Sequence, residues 1–306
     1  MSARHLFVLA VDQRPWLTQA LWGHTGTATP EQRATAARAK HAVLDGLLAA
    51  VDGGVPREAA GLLVDDELGP GVAERARAAG ITLSMPLERA GLDLYEDAPA
   101  DVPAHLAHHA PDLAKVLVRY NPDGDADANA VQRRRLAATA RAAHETGSRF
   151  LFELLVPPTS AQLDADADAW AHEVRPGLVV RAMEEIVTDV DVDVWKLESL
   201  GPEQAYADAA ALAATHDATC LLLGAGAPTD QVDTWLARAA RNGFAGFAVG
   251  RSIWWDAVRG LLAGEIEHAA AVSAVASRYR HFVDVFVDAS QPLAVGHSAV
   301  TGGSPA

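Results

Sequence analysis

Val192-Asp193-Val194-Trp195-Lys196-Leu197-Glu198 is an alternating, β-branched run with a single lysine in its middle. Read as a strand of period two, it puts Val194, Lys196 and Glu198 on one face and Asp193, Trp195 and Leu197 on the other. The lysine is the unusual letter. The chain has three lysines, Lys40, Lys115 and Lys196, against 22 arginines. Lys115 and Lys196 fall inside predicted strands, where a charged amine is costly to bury. Arginine keeps its proton in an interior, but lysine can release it and become a nucleophile. A lone strand lysine more often snorkels to water along its own stem, so the rest of the chain decides the reading.

Seven more short apolar runs lie around this one, with helical stretches between them. Leu6–Asp12 opens into a loop at Gln13-Arg14-Pro15, Gly61–Val64 ends in Asp65-Asp66-Glu67, and Ile81–Met85 is closed by Pro86. Leu113–Tyr120 carries Lys115, and Arg149–Val156 carries Glu153 and stops at Pro157-Pro158. Thr219–Leu223 turns at Gly224-Ala225-Gly226, and Phe244–Val249 ends in Gly250-Arg251-Ser252. Helices are expected from Pro30, capped by Thr29, to about Val51, over Pro70–Ala79, over Ala104–His109, and from Ala130 to His144. Further helices are expected in two pieces across Ala161–Thr188 with a break at Pro176-Gly177, from Gly201 to Thr215, over Asp230–Arg241, and from about Ile253 to Phe286. Eight βα repeats without a linker predict one α/β domain over residues 1–290, a (β/α)8 TIM barrel with a long C-terminal helix. The alternative is a doubly wound open sheet. The Pro/Gly/Ser/Thr-rich stretch 291–306 is expected to be a disordered tail.

Barrel chemistry sits at the C-terminal ends of the strands. Asp12, Asp65, Glu153, Lys196, Glu198, Gly224 and Gly250 fall there or close to it, with Lys115 one side-chain layer below Arg119. A lysine nucleophile has to be neutral near pH 7, against an ordinary pKa of about 10.4, and burial and a nearby second cation both favour that. Lys115 and Arg119 are the candidates for the second cation. Glu153, with Leu151 and Leu155 on its face, is a carboxylate among apolar neighbours, suited to passing protons and equally to an ion pair with Lys115 or Lys196. Asp12 would orient a lysine or cap the loop at Arg14. The glycines of strands 7 and 8, Gly224, Gly226 and Gly250, together with Arg251, mark loops where barrels bind phosphate.

The bulk numbers bound the partners. A net charge of −15 argues against nucleic acid and anionic membrane, and an anionic substrate has to be held by local arginines. A single cysteine, Cys220, removes any intramolecular disulfide and fits a reducing cytoplasm. The start Met1-Ser-Ala-Arg-His lacks a signal peptide's apolar core, and no apolar run reaches the roughly 20 residues of a membrane span. Asp123-Gly-Asp125-Ala-Asp127 resembles a calcium loop without its glycine and glutamate spacing, and the Asp164–Asp168 alternation reads as a solvated face. His105-x-x-His108-His109 has metal-like spacing, but it precedes the fourth strand and is expected at the bottom of the barrel. No metal or cofactor is expected, and the oligomeric state stays open, a homo-oligomer included.

Several of these stretches carry a family resemblance. AVDQRP at 10–15, KVLVRYNPDG at 115–124, FELLVPP at 152–158, VWKLE at 194–198 and VGRSIWW at 249–255 resemble the tagatose-bisphosphate aldolase group of class I aldolases. They are closer still to the aldolase-like domain fused behind 5-dehydro-2-deoxygluconokinase in bacterial inositol catabolism. The resemblance runs from Leu6 to about Phe286. It implies a metal-independent carbon–carbon lyase in which Lys196 forms a Schiff base, while Glu153, Lys115 and Asp12 move protons and position the imine. It also implies a sugar-phosphate substrate, namely 2-deoxy-5-keto-gluconate 6-phosphate cleaved to dihydroxyacetone phosphate and malonate semialdehyde. Tagatose bisphosphate, sulfofructose phosphate and a non-catalytic sugar-phosphate-binding barrel are the alternatives. Gln13, Arg14, Arg119 and Glu198 would contact the substrate, Arg119 either at a carboxylate end or in a structural ion pair.

Overall fold

The apolar runs pair in chain order into a closed parallel barrel, in a computed structural model that describes residues 5–165 and 169–291. The strands are β1 (Leu6–Ala10), β2 (Ala60–Leu63), β3 (Thr82–Pro86), β4 (Leu113–Arg119), β5 (Arg149–Leu155), β6 (Val194–Leu197), β7 (Thr219–Leu223) and β8 (Gly246–Val249). Pairing of β1 with both β2 and β8 closes the cylinder, so the open-sheet alternative falls. Because each strand is covered on both faces, its apolar residues run continuously.

Helices form the outer layer: α1 (Pro15–Trp22), α2 (Pro30–Asp52), α3 (Val72–Ala78), α4 (Val102–His109), α5 (Ala126–Glu145) and α6 (Ser160–Ala165). After a π-helical turn at Trp170–Val174 come α7 (Arg175–Ile186), α8 (Glu203–Thr215), α9 (Thr229–Arg241), α10 (Arg251–Leu262) and α11 (His268–Ser290). The Thr29 cap of α2 is a full capping box. The Gln32 N–H donates to Thr29 Oγ1 (3.2 Å), and the Thr29 N–H donates to Gln32 Oε1 (2.9 Å). Helix α11 brings Tyr279, Phe282 and Phe286 against the strands, where all three are fully buried. The Tyr279 hydroxyl donates to the Phe7 carbonyl (2.6 Å), and the Phe286 ring meets that of Phe7 edge-on at 5.6 Å.

Three expectations need correcting. The long C-terminal helix is present as α11, but it does not begin near Ile253: that stretch belongs to the separate α10, because Gly264 takes a left-handed φ of +71° and the Gly264 N–H folds back onto the Leu261 carbonyl. Pro176-Gly177 does not interrupt the helix: Pro176 stands in the first turn of α7, the one place where a missing N–H costs nothing. The loop after β1 spans only residues 11–14 and passes into a helix the sequence reading did not expect, α1, with Pro15 in its first turn and Gly23 as a left-handed cap. Residues 1–4, most of the Asp164–Asp168 alternation and the tail beyond Gln291 lie outside the described residues. Among the described residues no helix is long and apolar enough to cross a membrane.

The barrel interior is divided by polarity. Val8, Ala10, Leu63, Leu113, Leu151, Val194, Leu221 and Ala248 form an apolar plug inside the cylinder. Period two then dictates what stands above it. Asp12, Lys115, Glu153 and Lys196 each lie two residues beyond Ala10, Leu113, Leu151 and Val194, on the same inward face. The site is built by that one step along four strands.

Candidate active site

Above the plug, at the C-terminal ends of the strands, opens a cavity of about 450 Å³. Of the residues that the sequence places at the strand ends or assigns to substrate, all but Asp65 line it. Strand register explains the closest pair: β5 and β6 set Glu153 beside Lys196, and Glu153 Oε2 lies 3.0 Å from Lys196 Nζ. The same oxygen lies 3.0 Å from Lys115 Nζ. Lys115 also donates to Asp12 Oδ2 (3.0 Å) and to Glu88 Oε1 (2.9 Å). Both lysines and their three carboxylates are buried.

Electrostatics separates the two amines. Burial disfavours the Lys115 ammonium, but Asp12, Glu153 and Glu88 outweigh burial and hold its pKa above the ordinary lysine range. Burial would likewise raise Asp12, yet Lys115, Lys196 and Arg14 overcome it and keep the carboxyl below its ordinary value. In Glu88 burial wins over Lys115 and Arg14, and the pKa is raised. Burial also raises Glu198, against the pull of Arg175, whose Nη1 lies 3.4 Å from Glu198 Oε2. A lysine has three N–H donors, and three carboxylate oxygens at 2.9–3.0 Å occupy the surroundings of Lys115 Nζ. Among the described residues Lys196 Nζ has one such partner. The second cation is therefore neutralised, and the expected repulsion between Lys115 and Lys196 is replaced by a carboxylate that bridges them.

The walls carry the remaining candidates. Arg14 Nη2 donates to Glu88 Oε1 and to the Glu88 carbonyl, both at 3.1 Å, and among the described residues its buried Nε has no partner. Gln13 Nε2 donates to Asp12 Oδ1 (3.2 Å), and its buried Oε1 is likewise unpartnered among the described residues. Arg119 Nη1 donates to the Leu92 carbonyl (3.0 Å), tying the β3–α4 loop to the rim; among the described residues no ion pair forms at this side chain. Arg251 opens α10, donates from Nη2 to the Ala225 carbonyl (2.8 Å) and lies over the Trp16 ring at 4.7 Å. Gly226 takes φ +76°, and a Cβ there would stand 2.8 Å from Arg251 Cζ, so the turn and the guanidinium need a glycine. Six cationic side chains and four carboxylates face the cavity, a local positive excess in a chain of net charge −15. Such a pocket suits an anionic ligand.

Sequence reasoning missed Glu88, which lies two residues past Pro86, the end of β3. Counting period two onward from Ser84 through Pro86 would have found it on the inward face. It also misplaced Asp65. That carboxylate leaves the cavity, pairs with buried Lys40 of α2, and accepts the Leu68 N–H (2.7 Å).

This arrangement defines a TIM barrel with a buried lysine pair at its mouth, similar in fold to class I fructose-bisphosphate aldolases. The enzyme from Plasmodium falciparum aligns with a TM-score of 0.64 at 12% identity, over 94% of this chain and 92% of that one. An archaeal fructose-1,6-bisphosphate aldolase, solved with its catalytic lysine covalently bound to a carbinolamine intermediate of the substrate, aligns with a TM-score of 0.57 at 14% identity, over 90% and 94%. The fructose-bisphosphate aldolase from Slackia heliotrinireducens gives 0.56 at 14%, over 89% and 86%. These likenesses are of fold. No curated protein matches the chain in sequence. Over residues 1–290 it belongs to the family described as uncharacterized protein conserved in bacteria, DUF2090.

Proposed function

We propose that this protein is a metal-independent class I aldolase that cleaves a ketose phosphate through an imine on Lys196. The observation that carries the reading is the unequal surroundings of the two buried lysines. Lys115 Nζ meets three carboxylate oxygens within 3.0 Å and is held as an ammonium with no lone pair to offer. Lys196 meets one, opens onto the cavity, and has beside it a carboxylate that can take up its proton.

In the cleavage direction, neutral Lys196 adds to the ketose carbonyl carbon. Glu153 protonates the carbinolamine hydroxyl, water leaves, and a protonated imine remains. A base removes the proton from the hydroxyl on the carbon two positions from the imine carbon. The intervening carbon–carbon bond breaks, its electron pair passes into the imine to form an enamine, and the aldehyde departs. Protonation of the enamine carbon, for which Glu153 is again in place, and hydrolysis release the ketone and restore Lys196. Lys115 and Asp12 act by fixing Glu153 and the charge around it. Gly224, Gly226, Gly250 and Arg251 are assigned to the phosphate, and Gln13, Arg14, Arg119 and Glu198 to the rest of the substrate.

The family resemblance favours 2-deoxy-5-keto-gluconate 6-phosphate, with dihydroxyacetone phosphate and malonate semialdehyde as products. Tagatose bisphosphate and sulfofructose phosphate complete the panel to be tried. Release of dihydroxyacetone phosphate, read by a coupled reductase, identifies the substrate. Borohydride added during turnover should fix a stable mass increment on the protein. Binding of these sugars with neither product nor increment would instead favour a barrel that senses metabolites.

A further inference from the structure

Away from the cavity, the histidine pair of α4 meets a carboxylate from a different part of the fold. His105 and His109 are four residues apart and share one face of the helix, with ring centroids 4.5 Å apart. His109 Nε2 lies 3.3 Å from Oδ2 of Asp66, which follows the C-terminal end of β2. The expected position at the bottom of the barrel, away from the chemistry, is therefore incomplete, because the fold supplies a third donor from the β2–α3 loop.

We propose that Asp66, His105 and His109 form a zinc site that ties α4 to the β2–α3 loop. One donor atom from each of the three residues lies within 4.8 Å of the others. Around a tetrahedral zinc with N and O ligands at about 2.0–2.2 Å, neighbouring donors stand roughly 3.3–3.5 Å apart, and the His109–Asp66 separation already matches. Rotation of the half-buried His105 and the exposed Asp66 side chain brings in the third donor. An independent observation points the same way: Nε2 of His105 is buried and has no hydrogen-bond partner among the described residues. A buried imidazole nitrogen left unpaired is costly, and a metal ion satisfies it. His109 is 9% exposed, so the site has one firm ligand in the packed layer and one flexible ligand at the surface. Two imidazoles and one carboxylate suit zinc and leave a fourth position for water. None of the three residues lines the barrel cavity, so the site is structural and separate from the imine chemistry.

The test uses the full chain without a histidine tag, stripped with EDTA and shown to be metal-free. Zinc is titrated calorimetrically, and cobalt is followed through its visible d–d bands. The wild type should bind one zinc in the micromolar range or tighter, develop the bands of a four- or five-coordinate cobalt site, and gain thermal stability with zinc. His105→Asn and Asp66→Asn change side chains whose loss leaves the core intact, and circular dichroism checks their folds. Loss of an outer-shell partner already weakens metal binding about 10–100-fold, so loss of a ligand should cost at least about 100-fold. His108→Ala, on the exposed side of α4, should bind zinc as the wild type does. The site is overturned if wild type shows no stoichiometric zinc, or if His105→Asn and Asp66→Asn bind it as tightly as wild type does.

Discussion

Oε2 of Glu153 lies 3.0 Å from Nζ of Lys196. Since the same oxygen also meets Lys115, one carboxylate atom links the two buried lysines, and in the proposed reaction it stands beside the attacking amine. Glu153→Gln preserves shape but removes both the charge and the titrating group. It should lower kcat by about 10²–10⁴-fold with KM little changed, the range typical of general acid–base groups. Steady-state kinetics with the substrate found in the panel reads this directly. A fall confined to KM would move Glu153 from proton transfer to binding.

Lys115 holds three buried carboxylates together. Lys115→Met removes the cation the three share, leaving Glu153 with Lys196, Glu88 with Arg14 and Asp12 without its ion pair, and should destabilise the fold by about 3–5 kcal/mol, as for a broken buried ion pair. Urea unfolding measures it. Adding Glu88→Gln should recover part of that loss, whereas additive costs would mean that the two residues act separately. Lys115→Arg keeps the cation and should retain far more activity than any replacement of Lys196.

Asp12 sets the acid limb of stability. Its pKa is lower in the folded protein than in the unfolded chain, because Lys115, Lys196 and Arg14 outweigh the effect of burial. Its contribution is thus present above the unfolded value of about 3.9 and is lost as pH falls below it. Glu88, raised by burial, works with the opposite sign: its protonated form is favoured by the fold, and that contribution fades as pH rises. Between pH 5 and pH 3, Asp12→Asn should lose less stability than wild type in urea titrations. Parallel curves would show that Asp12 is not the group responsible.

Arg251, braced on Trp16 and the Ala225 carbonyl, is the residue to which the proposed function gives the phosphate. Arg251→Ala should raise KM about tenfold or more, equivalent to the 1.5–3 kcal/mol of a charged hydrogen bond, with a smaller effect on kcat. A crystal grown in sulfate should show an oxyanion between Gly224–Gly226 and the start of α10. An unchanged KM with the oxyanion elsewhere removes Arg251 from the site.

The barrel was legible because eight short apolar runs alternate with helix signals, and strand periodicity carried Lys115, Glu153 and Lys196 to one inward face. What was hidden is what periodicity does not encode. Glu88 stands beyond a proline that reads as a strand end. Asp65 leaves the inward face because buried Lys40, on a helix 25 residues earlier, claims it. The break between α10 and α11 rests on a single glycine, Gly264, within an otherwise helical pattern. The meeting of Asp66 with His109 is a tertiary contact across 43 residues, for which no local signal exists.

Turnover should persist in EDTA, since the proposed chemistry runs through an amine and a carboxylate and the proposed zinc site lies outside the cavity. Asp66→Asn should turn over substrate in EDTA as wild type does. Activity lost to chelation in both proteins and restored by zinc would point to a metal-dependent aldol cleavage.

The most direct test of the central claim is the position of the borohydride label. Wild type reduced during turnover and digested should carry the substrate-derived mass on the peptide containing Lys196. Lys196→Arg, which keeps the charge but supplies no neutral amine, should fold, lose several orders of magnitude in turnover, and take up no label. A label on Lys115, or an equal label on the Lys196→Arg protein, would contradict the assignment of Lys196 as the nucleophile.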